Sequence, residues 1–365
     1  MIRAGVYFLL IFLLAISSCK KPQALVYDYD TTAKRSLVPR DSYLPWDETT
    51  IPIKTIRLVS HVILKNDSTG NFPNTFSSRY FLSQVLMGHM NSWMAQHKPL
   101  HLESSSQYIK DTRIRFVMDI NHVFFHADEE FYDISDKYAG SEGRKMRKKY
   151  VEYDSTMVHK EDAIHIFWIG IDDGALSSGI GDKSFIIMDG GERVDPLDTK
   201  RHPHEASKWL KHELGHSFGL LHTFPTDDCD DTPVNLGCWS NGYPADNPAC
   251  SVASSNIMDY NAYQYSISEC QIAKVHWALD GNLGNISDVV VDEWNVFDSN
   301  TTFLNSLNDT IYWKTRQRFK GNIEIPKNKV LIISAPVDMP KEAVFILGKK
   351  SKIIQRYPQE LRFEN

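Results

Sequence analysis

His212, Glu213, His216 and His222 are the residues of this chain best spaced for chemistry. They sit in the run His212-Glu213-Leu214-Gly215-His216-Ser217-Phe218-Gly219-Leu220-Leu221-His222. On a helix, His212 and His216 are i and i+4, so both imidazoles leave the same face one turn apart. Glu213 stands beside His212, within reach of a water on a metal held there. Gly219 can leave the helix at positive φ with little cost. The chain then turns back and brings His222 in as a third ligand. Three protein ligands leave one position open to water, the pattern of a catalytic zinc rather than a closed structural one. The bland alternative is a charged surface helix with satisfied histidines. It has no need of a third His and a Gly at these spacings.

Two further stretches follow. Asp227-Asp228-Cys229-Asp230-Asp231-Thr232-Pro233 comes just after His222-Thr223-Phe224, and Ser255-Asn256-Ile257-Met258-Asp259-Tyr260 comes later. The set H-E-x-G-H-x-x-G-L-x-H-T-F, then C-D-D-T-P, then N-x-M-D-Y resembles the pappalysin and ulilysin family. That family belongs to the metzincin metalloproteases and includes the cytophagalysin-type enzymes of bacteria. Thr223 stands where several metzincin branches carry Asp, Glu or Ser. The resemblance extends over residues 51–284, with Ile53–Leu64 similar to the family's first strand. Ala163–Asp189 is similar to its strand, edge strand and strand before the zinc helix.

The resemblance implies an α+β fold of the metzincin type. A twisted mixed sheet carries an active-site helix above the cleft, and an irregular C-terminal subdomain holds a Met-turn. It implies that Met258 forms a soft apolar floor beneath the imidazoles. It also implies that Tyr260 hydrogen-bonds the developing oxyanion, and that a calcium ion sits near the D-T-P segment. Clustered carboxylates suit such a hard cation, making Asp227, Asp228, Asp230, Asp231 and Thr232 its candidate ligands. An acidic turn held by a disulfide is the other reading. The implied activity is a zinc endopeptidase, with Zn²⁺ as cofactor, Glu213 as general base and a protein or peptide as substrate. Two rivals stay open: a non-catalytic binding module on a protease fold, and a zinc amidase acting on cell-wall peptides.

The 365 residues suffice for one sizeable domain and a smaller one. A net charge of −6 lacks the basic bias that nucleic-acid binding needs, so none is expected. A monomer is expected. Arg3 precedes an apolar stretch, Ala4–Ile16, too short to span a bilayer. Ile16-Ser17-Ser18-Cys19 resembles a bacterial lipobox, with residues 1–18 as signal peptide and lipid on Cys19. The expected location is therefore outside the cytoplasm, on the outer membrane at its periplasmic or surface side. A plain secretory signal is the alternative. Residues 19–50 read as a linker or short pro-segment.

Export agrees with the other four cysteines, Cys229, Cys238, Cys250 and Cys270, an even set that reads as two disulfides. Three connectivities exist, and the favoured one is Cys229–Cys270 with Cys238–Cys250. A Cys₄ zinc site is disfavoured, because the spacings are not paired C-x₂₋₄-C.

Other elements must position the histidines. Ile53–Leu64, Arg113–Asn121, Ala163–Ile171 and Phe185–Met188 read as strands, and Ala175–Gly181 as the edge strand over the cleft. Phe76–His97 has helical spacing, with Tyr80, Phe81, Val85, Met87, Met90, Trp93 and Met94 as its apolar face. The zinc helix begins near Pro203 or His204. Trp209, Leu210, Leu214 and Phe218 turn to the core. Ser266-Ile267-Ser268-Glu269 reads as a capping box that opens a helix with Ile272, Val275 and Leu279 buried. On that helix His276 reads as a satisfied surface histidine. The basic run Arg144–Lys149 reads as a solvated face, or else a contact for anionic lipid. From residue 285 to 365, short β-branched runs alternate with Gly, Pro, Asn and Lys turns. They read as a small β domain, sandwich-like or the start of a solenoid.

Overall fold

A computed structural model describes residues 24–26, 43–44, 51–96, 109–134, 139–170, 176–177, 185–189, 202–223, 227–232, 255–259, 264, 266–291, 297–304, 306–315, 317–335, 337–340 and 342–356. In chain order the main elements are β1 (Ala24–Val26), β2 (Lys54–Leu64), α1 (Phe76–Tyr80), α2 (Leu86–Ala95), β3 (Ile114–Val117), β4 (Val123–Ala127), α3 (Glu129–Tyr132) and α4 (Ala139–Arg147). Next come β5 (Ile164–Ile169), β6 (Leu176–Ser177), β7 (Phe185–Asp189), α5 (His202–Ser217) and α6 (Glu269–Trp277). The chain divides into two units, Arg35–Val291 and Met1–Lys34 with Asp292–Asn365. Among the described residues no helix is long and apolar enough to cross a membrane.

The larger unit is a mixed α/β structure on a sheet of order β3-β2-β5-β7-β6, with β4 also paired to β2. β2 is long enough to serve two neighbours end to end, β3 along Lys54–Arg57 and β4 along Ser60–Leu64. These pairs, and β2–β5 and β5–β7, are parallel; only β6 runs antiparallel, at the sheet's end. Parallel strands need crossovers, and helices supply them. Both faces are thereby covered, which is why β5, IHIFWI, is buried throughout and nearly all apolar. One face carries Ile56, Leu58, Val62, Ile166 and Trp168 against α2, α5 and α6. The other carries Ile63, Phe167, Ile169 and Ile187 against α4.

Several expectations shift. The helix from Phe76 is continuous to Ala95, but Phe81–Val85 forms i→i+5 turns. Such a wide turn rotates the residues on either side. Phe81, Met87, Met90 and Met94 are buried, whereas Tyr80 is exposed and Trp93 only half-buried. The second strand is broken, Ile114–Val117 being followed by a tight turn and β4. The capping box is present two residues later than expected: the Ser268 hydroxyl accepts from Gln271 N–H, and the Gln271 side chain accepts from Ser268 N–H. Ser266 is instead spent on Ser255, through its N–H and its hydroxyl. His276 is fully buried, with Nε2 2.8 Å from the Thr112 carbonyl. The basic run is largely paired, Lys145 with Glu142, Arg147 with Glu152 and Lys149 with Asp128. Tyr43, from the stretch read as a linker, is buried and donates to Asp280, which also holds Lys54 at 2.7 Å.

The second unit contains β8 (Thr301–Phe303), β9 (Thr310–Trp313), β10 (Gln317–Arg318), β11 (Asn322–Ile325), β12 (Val330–Ile333), β13 (Val337–Asp338), β14 (Val344–Leu347) and β15 (Lys352–Gln355). These strands pair in parallel, each with the third strand on. Thr302, Ile323 and Phe345 stack, as do Ile311, Leu331 and Ile353. Gln317 likewise pairs with Val337. This is the winding of a solenoid and not the antiparallel pairing of a sandwich. Ile311, Trp313, Ile323, Leu331, Val337 and Phe345 fill its interior. β1 pairs antiparallel with β14, Leu25 opposite Phe345. The apolar run Val289–Val291 belongs to the larger unit, where Val290 bridges Ile56.

Candidate metal centre

α5 is held by its apolar face. Leu210, Leu214 and Phe218 lie in the main core, with Trp209 packed at its edge. The helix closes at Gly219, where φ is 84°. Leu220 N–H reaches back to the Gly215 carbonyl at 2.9 Å and Gly219 N–H to that of His216 at 2.9 Å. This left-handed closure satisfies the last carbonyls and reverses the chain. A Cβ at Gly219 would also stand 2.8 Å from Leu283.

The reversal brings His222 against the two helical histidines. Its Nε2 lies 3.2 Å from that of His212 and 3.0 Å from that of His216. The opposite ring nitrogens explain the chemistry. His212 Nδ1 faces the Ile257 carbonyl at 2.6 Å, and His216 Nδ1 faces the Leu220 carbonyl at 2.9 Å. A carbonyl only accepts, so both Nδ1 atoms carry the proton and both Nε2 atoms present bare lone pairs. Burial, with His216 next in effect, pushes His212 down to about 3. Burial and then His216 push His222 down to about 4, and burial also lowers His216. All three are therefore neutral at pH 7. Lone pairs aimed at one point repel unless a cation lies between them. Tetrahedral Zn–N bonds would set the nitrogens about 3.3 Å apart, so the donor set fits zinc.

Beside the histidines lies a tight turn, Asn256–Asp259, closed by Asp259 N–H on the Asn256 carbonyl at 3.1 Å. Met258 in it is 0% exposed. A Cβ on Gly215 would come within 2.4 Å of the Met258 sulfur. A side chain at position 215 would thus have to displace the Met258 thioether. Thr223 N–H, directly after the third histidine, donates to the Met258 carbonyl at 3.3 Å. Gln264 lies 3.3 Å from His212 Nδ1 and donates to the Asp259 carbonyl. Sequence reasoning missed the positioning roles of Gly215, Ile257, Leu220 and Gln264. Gly215 alone left a trace, as a small residue on the buried face of a helix. A backbone carbonyl has no sequence signature at all.

Glu213 follows His212 on α5 and is buried. Cys229 and Cys270 form the expected disulfide. Tyr260, Cys238, Cys250 and Cys19 lie outside the described residues, as does most of Ala175–Gly181. Leu176–Ser177 does form an edge strand, paired with Ile187 and Ile186. Several oxygens of the candidate calcium ligands already have protein partners, while Asp231 Oδ1 is buried without a hydrogen-bond partner among the described residues. Asp227 Oδ1 accepts from Cys229 N–H and the Thr232 hydroxyl, and its Oδ2 from the Gln271 amide. Asp231 Oδ2 accepts from Cys270 N–H. The Lys274 ammonium already sits there, 2.9 Å from the Asp227 carbonyl and 3.9 Å from Asp228.

No family model matches the chain, and no curated protein matches it. Among solved structures it is similar to mirolysin in complex with a compound, with a TM-score of 0.44 at 13% identity, over 66% of this chain and 96% of that one. It is also similar to mature mirolysin of Tannerella forsythia in complex with a cleaved peptide, with a TM-score of 0.42 at 13% identity over the same shares. At this distance the likeness says nothing of the chemistry, which rests on the residues themselves.

Proposed function

We propose that this chain is a zinc-dependent endopeptidase of the metzincin type. The convergence of three imidazole Nε2 atoms, two of them stripped of protons by carbonyls on the opposite nitrogen, carries this reading. Zinc bound there supplies a Lewis acid that polarises a carbonyl and lowers the pKa of water. His212, His216 and His222 hold the ion. Met258 packs beneath them as the Met-turn. The Glu213 carboxylate takes the water proton and passes it to the leaving amine. Tyr260 donates to the developing oxyanion. An extended peptide pairs with the outer edge of β6, the last strand of the sheet among the described residues. Export with a lipid on Cys19 is part of the proposal, supported by the Ile16–Cys19 lipobox and by a disulfide in the chain. Calcium is not, because the oxygens of Asp227 already accept from protein donors.

The test is digestion of a proteome-derived peptide library by wild type and Glu213→Gln, with zinc measured in both. Wild type should cleave. The variant should keep its zinc and lose about 10²–10⁴-fold in turnover. Full activity in Glu213→Gln refutes the mechanism. Cleavage confined to peptidoglycan fragments points to the amidase, and zinc without any cleavage to the binding module.

A further inference from the structure

A line of buried side-chain hydrogen bonds starts at the turn beneath the imidazoles and ends in the acidic loop. Asn256 Oδ1 accepts from Met258 N–H at 2.8 Å, and Asn256 Nδ2 donates to Gln271 Oε1 at 2.7 Å. Gln271 Nε2 donates to Asp227 Oδ2 at 3.1 Å. Asn256 and Gln271 are each 1% exposed, and Asp227 is 4% exposed. Three segments are thereby joined: the turn at Asn256–Asp259, the first turn of α6 and the loop after His222.

The direction of every bond is fixed by backbone. Met258 N–H can only donate, so the oxygen of Asn256 must face it and the amide NH₂ must face Gln271. Ser268 N–H donates to Gln271 Oε1 at 3.1 Å, so the Gln271 oxygen must point to that side. Its NH₂ is left facing Asp227, which must accept. Capping alone would be served as well by Glu at position 271, the commoner partner in a capping box and better suited to a helix N-terminus. A donor is needed only because of Asp227. The Asp227 carboxylate is specified in turn, since its other oxygen is already taken by Cys229 N–H and the Thr232 hydroxyl. The Cys229–Cys270 disulfide joins the residues flanking this contact.

We infer that Asp227 and Gln271 are positioning residues for the metal ligand His212, an inference that rests on the zinc reading above. They act through Asn256. The turn that Asn256 holds carries the Ile257 carbonyl, and that carbonyl fixes the proton on His212 Nδ1. A group that orients a ligand's second nitrogen sets both its tautomer and its aim.

The experiment is a polarity swap in the full chain: Asp227→Asn, Gln271→Glu and both together. Asp227→Asn sets NH₂ against NH₂, Gln271→Glu sets carboxylate against carboxylate, and the pair restores a donor to an acceptor in reverse. The readouts are zinc affinity by chelator competition and the visible spectrum of the cobalt-substituted protein, which reports ligand geometry. Each single change should weaken zinc by about 10–100-fold and alter the cobalt spectrum. The double variant should recover the wild-type spectrum and most of the affinity. Single variants that melt earlier yet keep wild-type zinc affinity and spectrum would reduce the link to a structural brace and overturn the inference. A double variant that is not rescued, or does not fold, would also overturn it. Wild type that takes up neither zinc nor cobalt would fail the zinc reading itself, which separates the two failures.

Discussion

His212, His216 and His222 bring ring nitrogens to one point, whereas His61, His126 and His165 lie end to end. In the second set His61 Nδ1 is 2.9 Å from His126 Nε2, and His61 Nε2 is 2.9 Å from His165 Nδ1. His165 Nε2 then faces the His159 carbonyl at 3.1 Å. That carbonyl fixes the whole line. His165 must donate from Nε2 and accept at Nδ1, so His61 donates from Nε2 and accepts at Nδ1, and His126 donates from Nε2. At each contact along the line a lone pair meets a proton. In the first set, carbonyls behind His212 and His216 hold the Nδ1 protons, which leaves the two Nε2 lone pairs in front for a cation.

Protonation energetics do not separate the two sets. Burial, ahead of the neighbouring imidazoles, holds His61 well below its ordinary value. Burial pushes His126 and His165 down to about 4, against nearby Asp128, Asp154 and Asp162 and together with Lys149 and Arg147. The metal candidates are lowered by the same cause. A depressed histidine pKa therefore reports burial, and only the placement of the second nitrogen tells a ligand from a core residue.

The largest test of this contrast is zinc affinity. His216→Ala should weaken zinc beyond the ~10–100-fold typical of losing a ligand's outer partner, while His165→Ala should leave zinc affinity within a few-fold. Equal losses measured by chelator competition would erase the distinction. Next is acid stability. The linear triad is neutral when folded, while the unfolded chain takes up protons near pH 6.5. Its contribution is thus full above about pH 6.5 and is lost as pH falls toward 4, by up to ~1.4 kcal/mol per pH unit per imidazole. Denaturant titrations of His61→Leu should show a shallower slope in that window. They should also show lower stability at pH 7, since His126 and His165 lose their common partner. An unchanged slope would mean that the triad is already charged. The smallest effect concerns the turn packed against α5 at Gly215. Gly215→Ala forces a methyl against the Met258 sulfur and should cost about 1–3 kcal/mol, with a modest loss of zinc affinity. A wild-type melting temperature would show that the turn yields freely.

The two sets also differ in how far they can be read from residue order. His212 and His216 are one helical turn apart, and Gly219 announces the reversal that returns His222. All of that is local, so it was legible before any contact was known, as was the apolar stripe of α5. The linear triad comes from β2, β4 and β5 and is assembled by parallel register. Val59 stands opposite His165, and Ile63 opposite His126. No spacing in the chain hints at it. For the same reason His276 read as a surface residue, and the capping box was placed on Ser266 although Ser268 fills it. The choice between those two serines was made by Ser255, eleven residues away.

By itself the sequence determined the histidine set, the helix that carries it, the glycine that ends that helix, and the strands β2, β5 and β7, whereas β1 fell in a stretch read as linker. These follow from periodicity and backbone freedom, which act over a few residues. Only the tertiary structure decided which carbonyls hold the imidazole protons, why Gly215 has no side chain, and why Gln rather than Glu stands at position 271. It also decided that a second group of three histidines is wired in a line. Each of those depends on a polar group's direction or a few tenths of an ångström between segments far apart in the chain. Such directions and distances are settled by sheet register and close packing.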